Sequence, residues 1–320
     1  MPRSYDIFNG DADGLCALHQ LRLEDPRQSE LVTGVKRDIA LLDRVDAQRG
    51  DELTVLDISM KTNAAALARV LGRGASVRYF DHHAAGDVPR QLGLEAHIDI
   101  SPGVCTSLIV DRYIGSRQRM WAVVGAFGDN LIGPAVEAAQ SLRLGRAEVA
   151  KLRELGECLN YNAYGESLDD LHFHPADLYR ALAPYRDPGP FIAADPAFNV
   201  LRRAYAEDLD RTNGLRPYWQ SAAAAVYVLP EAAWSRRING IFGNRLAQND
   251  SGRAHAVLVT KPGGYTVSVR APTERPRGAA ALCEQFQSGG GREGAAGINR
   301  LSESEFDRFV VAFQQAFAQP

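Results

Sequence analysis

The sequence predicts an α/β protein in two lobes: an N-terminal domain built on a parallel sheet, and a smaller C-terminal α/β domain joined to it by a helical linker. Three observations predict it. Short apolar runs alternate with helical stretches from Tyr5 to Asp81, the pattern of βαβ units whose crossovers are helices. From Val104 to Leu159 the apolar spacing is helical almost throughout. Beyond Ala225 the alternation of strand and helix begins again. The 320 residues suffice for two cores of ordinary size.

In chain order, Tyr5 to Phe8 reads as a strand and Leu15 to Leu23 as a helix. Leu53 to Leu56 is a strand, and Asn63 to Leu71 a helix with Asn63 available near its cap. Val77 to Phe80 is a strand ending in Asp81. Four helices follow: Thr106 to Tyr113, Arg119 to Phe127, Ala135 to Leu142 and Ala147 to Leu159. Asn160 to Pro196 is polar and proline-bearing, and reads as short helices and a connector; Asp195 to Leu215 is helical again. Then come a strand (Ala225 to Leu229), a helix (Ala232 to Ala247) and two strands (His255 to Thr260, Tyr265 to Val269). A helix (Gly278 to Phe286), a glycine loop (Gly289 to Gly297) and a last amphipathic helix (Glu305 to Phe317) complete the chain. The domains are expected at residues 1–165, 166–220 and 221–320.

Composition narrows the function. The formal net charge is −3, and no lysine-rich run occurs. Binders of long nucleic acid carry a basic footprint, so a nucleotide ligand of this chain should be short and held by a few arginines. Cys16, Cys105, Cys158 and Cys283 form no CxxC pair, and Met1 to Asp6 contains no apolar leader. Both point to reduced thiols in a cytoplasm and away from a thiolate zinc site. The longest apolar stretch, Met120 to Phe127, is far too short to cross a bilayer, so no membrane partner is expected.

The chemistry sits at the ends of apolar elements. Asn9-Gly10-Asp11-Ala12-Asp13-Gly14 follows the first strand, Asp57 ends the second, Asp81-His82-His83 ends the third, and Gly128-Asp129-Asn130 closes an apolar helix. Burying carboxylates is costly without a counter-charge. In open α/β sheets ligands bind beyond the carboxyl ends of the strands. Hard oxygen donors with an imidazole suit manganese or magnesium, and two such ions can activate water and stabilise a departing phosphoester oxygen. Singly, each cluster has a plainer reading: Asp13 as an N-cap, Asp57 as a strand-end turn. His19, His97, His172, His174 and His255 read as ordinary structural histidines, and Arg236-Arg237 as a solvated helix face. It is the four clusters together, in order, that point to a metal centre.

These motifs resemble the DHH phosphoesterases: Asn9-Gly-Asp-Ala-Asp-Gly14, Asp57, Asp81-His-His83 and Gly128-Asp129. The C-terminal half is similar to the DHH-associated domain of the first subfamily, whose glycine loop resembles Gly289-Gly-Gly-Arg-Glu-Gly-Ala-Ala-Gly297. The resemblance covers nearly the whole chain. It implies two divalent ions, manganese or alternatively magnesium. Asp11 and Asp57 would hold one; Asp13, Asp57, His82 and Asp129 would hold the other. Asp81 would orient the cluster from behind, and His83 would contact the scissile phosphate or protonate the leaving group. Gly289, Gly290, Gly291, Arg270 and Arg292 would bind a terminal phosphate. Two positions depart from the family pattern. Asn9 stands where many members carry His or Asp, and Arg292 stands where the glycine loop usually has His.

The implied function resembles that of nanoRNases: hydrolysis of very short 5′-phosphorylated oligoribonucleotides, such as pGpG, to nucleoside monophosphates. The family also includes hydrolases of cyclic dinucleotides, of 3′-phosphoadenosine 5′-phosphate and of polyphosphate. A nucleotide-binding protein with a weakened active site is the alternative from a different class, and a nucleic-acid-binding module is disfavoured by the missing basic stripe.

Overall fold

In the computed structural model, which describes residues 2–318, the strands of the first half lie side by side and all point one way. They are β1 (Ser4–Phe8), β2 (Glu30–Val32), β3 (Glu52–Leu56), β4 (Ser76–Asp81) and β5 (Leu94–Ile98), in the order β2-β1-β3-β4-β5. The crossovers include α1 (Ala12–Glu24) and α2 (Ala64–Gly72). Then follow α3 (Thr106–Tyr113), α4 (Arg119–Gly128), α5 (Ile132–Gln140), α6 (Arg146–Ala163), α7 (Pro175–Leu182), α8 (Pro188–Ala194) and α9 (Pro196–Asp210).

The alternation of side chains along each strand explains two cores on this one sheet. Tyr5, Ile7, Leu53, Val55, Val77 and Tyr79 point to one face and pack with Leu67, Val70 and Leu71 of α2. Phe8, Leu56 and Phe80 point to the other and meet α1, α3, α4 and α6. Helix α1 is buried along nearly its whole length, including Arg22, whose guanidinium pairs with Asp6 and donates to Thr54 Oγ1 at 3.0 Å. Among the helices around it, Trp121 of α4 is fully buried, and its indole N–H donates to the Arg186 carbonyl at 2.8 Å.

Glycines let three helices approach closely. A Cβ at Gly128 would lie 2.2 Å from Ala12 Cβ, and one at Gly156 would lie 2.3 Å from the Val124 carbonyl oxygen. The C-terminal end of α4 is thereby drawn against the start of α1.

The second sheet contains β6 (Trp219–Gln220), β7 (Ala224–Leu229), β8 (Ala254–Lys261), β9 (Gly264–Arg270), β10 (Gly289–Arg292) and β11 (Ala295–Ser302), in the order β10-β11-β9-β8-β7-β6. Only β7 and β8 pair in parallel. It carries α10 (Ala233–Asn249), α11 (Ala279–Cys283) and α12 (Phe306–Ala316). Its core gathers Val226, Leu258, Val267, Ile298, Phe309 and Phe313. The chain divides into two compact units, Met1–Tyr205 and Ala206–Pro320, with the division inside α9. Among the described residues no helix is long and apolar enough to cross a membrane.

Three expectations change. The glycine segment is a strand, β10, not an open loop: Gly289 to Arg292 pair antiparallel with Ala295 to Ile298. Glycine is required there for closeness, since a Cβ at Gly289 would sit 1.8 Å from the Cys283 carbonyl oxygen. Asn63 stands at the start of α2 but does not cap it; its amide donates to the Ile39 and Ser59 carbonyls and its oxygen accepts from Leu42 N–H. Arg237 is buried against Asp208, at 2.8 Å, rather than solvated. The short strands β2 and β5 carry too little apolar pattern to be read in advance.

Candidate metal centre

The three parallel strands β1, β3 and β4 deliver their carboxyl ends to one place. After β1, Asp11 is extended (φ −88°, ψ −178°) and caps α1, its Oδ1 accepting from the N–H groups of Asp13 at 3.0 Å and Gly14 at 3.1 Å. Gly14 is needed for closeness: a Cβ there would lie 2.2 Å from the Asn9 carbonyl oxygen. Asp13, in the first turn of α1, reaches the start of α3 instead. Its two oxygens accept from Thr106 N–H and Ser107 N–H, each at 2.7 Å. A carboxylate on a helix N-terminus is favoured by both the free amides and the helix dipole.

After β3, Asp57 adopts φ +59°, a left-handed conformation that aspartate tolerates better than most residues but that still costs about 1 kcal/mol or more. The turn aims a buried carboxylate inward, where Thr106 Oγ1 donates to it at 3.1 Å. Burial, and then the neighbouring Asp13, Asp11, Asp129 and Asp81, push its pKa well above the usual carboxylate range. Asp129 caps the C-terminus of α4. Burial raises its pKa too, with Lys36 opposing. Buried carboxylates that repel one another in this way form a donor set that a divalent cation fits.

The two histidines after β4 face different partners. His82 Nδ1 lies 3.0 Å from the Val104 carbonyl oxygen, so Nδ1 carries the proton. Its Nε2 lone pair then faces Asp57 Oδ1 at 3.4 Å and Asp129 Oδ2 at 3.8 Å, the arrangement of a metal-ligating imidazole oriented by a carbonyl. His83 Nδ1 lies 2.7 Å from Asp81 Oδ1. Burial opposes the charge on His83, but Asp81 outweighs it, and the imidazole pKa is raised. Asp81 itself is fully buried, and its Oδ2 has no hydrogen-bond partner among the described residues. The histidine that Asp81 stands behind is thus His83, not the ligand candidate His82.

Ligand atoms of Asp13, His82 and Asp129 lie within 4.8 Å of one another, as do those of Asp57, His82 and His83. These residues could hold a divalent ion. Asp11 belongs to neither group. Its Oδ2 is taken by the Lys36 ammonium, which also reaches Asn160 Oδ1 at 3.1 Å and Asp129 Oδ1 at 3.6 Å. Burial opposes this charge, yet Asp11, Tyr164 and Asp129 hold Lys36 well above its ordinary pKa. Asn9 accepts from Asp11 N–H at 3.3 Å and donates to the Lys36 carbonyl at 3.1 Å. Lys36 escaped the sequence reading because it follows β2, the shortest strand of this sheet, with no motif around it. The residue that could have drawn attention to it is Asn9.

The second unit places the substrate-binding candidates in order. Arg270, Ala295 and Arg292 occupy directly opposed positions on β9, β11 and β10, so both arginines share one face with an alanine between them. Arg270 Nε donates to Asn244 Oδ1 at 2.6 Å and its Nη1 to Ser268 Oγ at 2.9 Å, while Arg292 is exposed. Gly289 and Gly291 are tightly packed, but a Cβ at Gly290 would meet nothing within 4 Å. As the sheet's edge, β10 leaves part of its backbone unpaired.

Four of the remaining histidines have partners within the fold. His19 Nε2 bonds the Tyr185 carbonyl at 2.8 Å, His97 stacks on Phe80, His172 bonds Tyr161 Oη at 2.9 Å, and His174 accepts from Ala176 N–H at the start of α7. His255 is buried on β8, opposite Arg270.

No protein-family model and no curated protein matches the chain. Solved structures do. The exonuclease RecJ bound to manganese is similar with a TM-score of 0.65 at 17% identity, covering 99% of this chain and 91% of that one. A DHH domain described as a member of the s1p family of ribosomal proteins gives 0.61 at 12% identity, covering 98% and 86%. A pGpG-specific phosphodiesterase, PggH of Vibrio cholerae, gives 0.55 at 14% identity, covering 98% of each chain. At these identities the likeness establishes the fold.

Proposed function

We propose that this chain, a DHH phosphoesterase by fold, is a metal-dependent phosphodiesterase acting on very short 5′-phosphorylated oligoribonucleotides. The observation that carries the reading is the convergence of Asp13, Asp57, Asp129 and the free Nε2 of His82 at the carboxyl ends of parallel strands. Manganese is the proposed ion. The donors are hard oxygens with one imidazole, and the similar RecJ structure holds that metal. When bound, a divalent ion supplies Lewis-acid chemistry and lowers the pKa of water. The chain's own residues supply the rest. His83, whose pKa Asp81 raises, would give a proton to the oxygen that leaves as the P–O bond breaks, while water's oxygen bonds to phosphorus and its proton passes to solvent. Thr106 and the α3 amides hold Asp57 and Asp13 in place.

Shortness of the substrate is supported by the net charge of −3 and by the two arginines on one sheet face, which suit a terminal phosphate. The similarity to a pGpG-specific enzyme agrees with a dinucleotide. The test is product analysis with manganese on pGpG, pApA, a longer RNA, a cyclic dinucleotide and 3′-phosphoadenosine 5′-phosphate. Release of mononucleotides from the linear dinucleotides alone is expected. Preference for another substrate overturns the specificity, and no turnover of any overturns the enzyme reading. Arg292→Ala should raise KM for pGpG without lowering bound manganese; an unchanged KM removes Arg292 from the site.

A further inference from the structure

We propose that the ammonium of Lys36 takes the place of one of the two cations expected at the sheet's end, so that the centre holds a single divalent ion. This rests on the reading of the centre as a metal site.

The argument starts from Asp11, the carboxylate expected to ligate the first ion. Both its oxygens have partners within the chain, and its carboxylate also meets that of Asp57. Oδ1 accepts from the Asp13 and Gly14 amides at the start of α1, and Oδ2 is paired with Lys36 Nζ. The ammonium has three protons. Asp11 and Asn160 Oδ1, at 3.1 Å, accept two of them, and the third side lies toward Asp129 Oδ1 at 3.6 Å. The Tyr164 ring closes the group from a further direction, 5.8 Å from Nζ. The charge therefore stands between two carboxylates.

The surroundings are built to keep it there. Asn9 occupies the motif position where an imidazole or carboxylate is usual in the family the motif resembles. Here its amide donates to the carbonyl of Lys36 itself, at 3.1 Å. The Lys36 N–H donates to the Ala163 carbonyl at the end of α6, at 2.9 Å. The lost ligand and the gained lysine are thus one structural unit: the side chain at position 9 holds the backbone of residue 36. A second divalent ion at Asp11 would have to displace a fixed positive charge from the same oxygen. The remaining candidate donors form two groups that share His82, one with Asp13 and Asp129 and one with Asp57 and His83. Among the described residues only Lys36, at Asp129, pairs a lysine or arginine with them, and we assign them to one ion. Lys36 cannot activate water as a metal does.

The test is stoichiometry. The purified full chain is stripped with chelator and titrated with Mn²⁺ alone by calorimetry. Bound manganese is then counted after gel filtration, and electron paramagnetic resonance reports whether the ions are exchange-coupled. The wild type should bind one ion per chain with an uncoupled signal, as should Lys36→Arg, which keeps the charge. Lys36→Ala and the double variant Asn9→His/Lys36→Ala should bind two, with a coupled signal. Two coupled ions on the wild type, or on Lys36→Arg, overturn the proposal while leaving the metal reading intact. A folded Lys36→Ala protein that still binds one ion also overturns it. No ion on the wild type overturns both. Should Lys36→Ala fail to fold, the wild type and Lys36→Arg decide.

Discussion

His83 reaches back across one residue to Asp81, Nδ1 to Oδ1 at 2.7 Å, while the intervening His82 turns its own Nδ1 to the Val104 carbonyl. The motif thus divides its imidazoles between two tasks. His82 turns its Nε2 to the carboxylate cluster, and His83 has its pKa raised by Asp81.

This division predicts a pH effect. If the protonated imidazole of His83 is required, activity is lost as pH rises through its raised pKa. Asp81→Asn removes the charge that raises it, so the loss should begin at lower pH. His83→Asn should slow turnover by about 10²–10⁴-fold with bound manganese unchanged. A pH–rate profile and a metal count check both; loss of metal in His83→Asn would make His83 a ligand.

Asp57→Asn should separate stability from function. The Asp57 carboxyl is raised by burial and by its acidic neighbours, so it binds protons more tightly folded than unfolded. The Asp57 contribution to the stability of the metal-free protein should therefore become less unfavourable as pH falls toward the ordinary carboxylate value of about 3.9. At neutral pH the variant should melt higher than wild type in chelator and lose the rise in Tm that manganese gives the wild type. Urea or thermal melts with and without manganese test this.

Gly156→Ala should weaken metal binding without touching a ligand. Its Cβ would lie 2.3 Å from the Val124 carbonyl oxygen and 2.8 Å from Gly128 N, forcing α6 and α4 apart. Overpacking of this kind costs about 1–3 kcal/mol, and Asp129, the cap of α4, should move with the helix. Lower stability with unchanged manganese affinity would mean that other contacts place Asp129.

His19 should set an acid limit on stability. Burial holds its pKa down at about 4, below the unfolded value of about 6.5. The unfolded chain then binds more protons between these values. The His19 contribution to stability is full above about pH 6.5 and is lost as pH falls toward about 4, by up to about 3 kcal/mol. His19→Gln should flatten that slope in urea melts across the window.

The sequence made most of this centre legible because its carboxylates and imidazoles end apolar strands, and few structural needs put charge there. Asp57 could be read from that alone, and Asp129 from its place at the end of an apolar helix. Lys36 could not, because lysine in a polar stretch is common and the acid it meets lies far off in sequence. Asp81 was read as standing behind the cluster, but which histidine it holds depends on rotamers that spacing does not reveal. In the second sheet, Gly289 to Gly291 looked like a loop because glycine marks both turns and close approaches. Only the nearness of Cys283 decides between them.

The cluster takes residues from the ends of β1, β3 and β4 and from the cap of α4, so it does not exist in any local segment of the chain. Parallel strands joined through crossovers pair late, after long loops have closed. An ion that needs all four contributors can therefore be captured only once the sheet is essentially complete. Its effect should fall on the lifetime of the folded protein rather than on the speed of reaching it: unfolding slows, refolding does not. A cell short of the metal would make this protein just as quickly and lose it sooner.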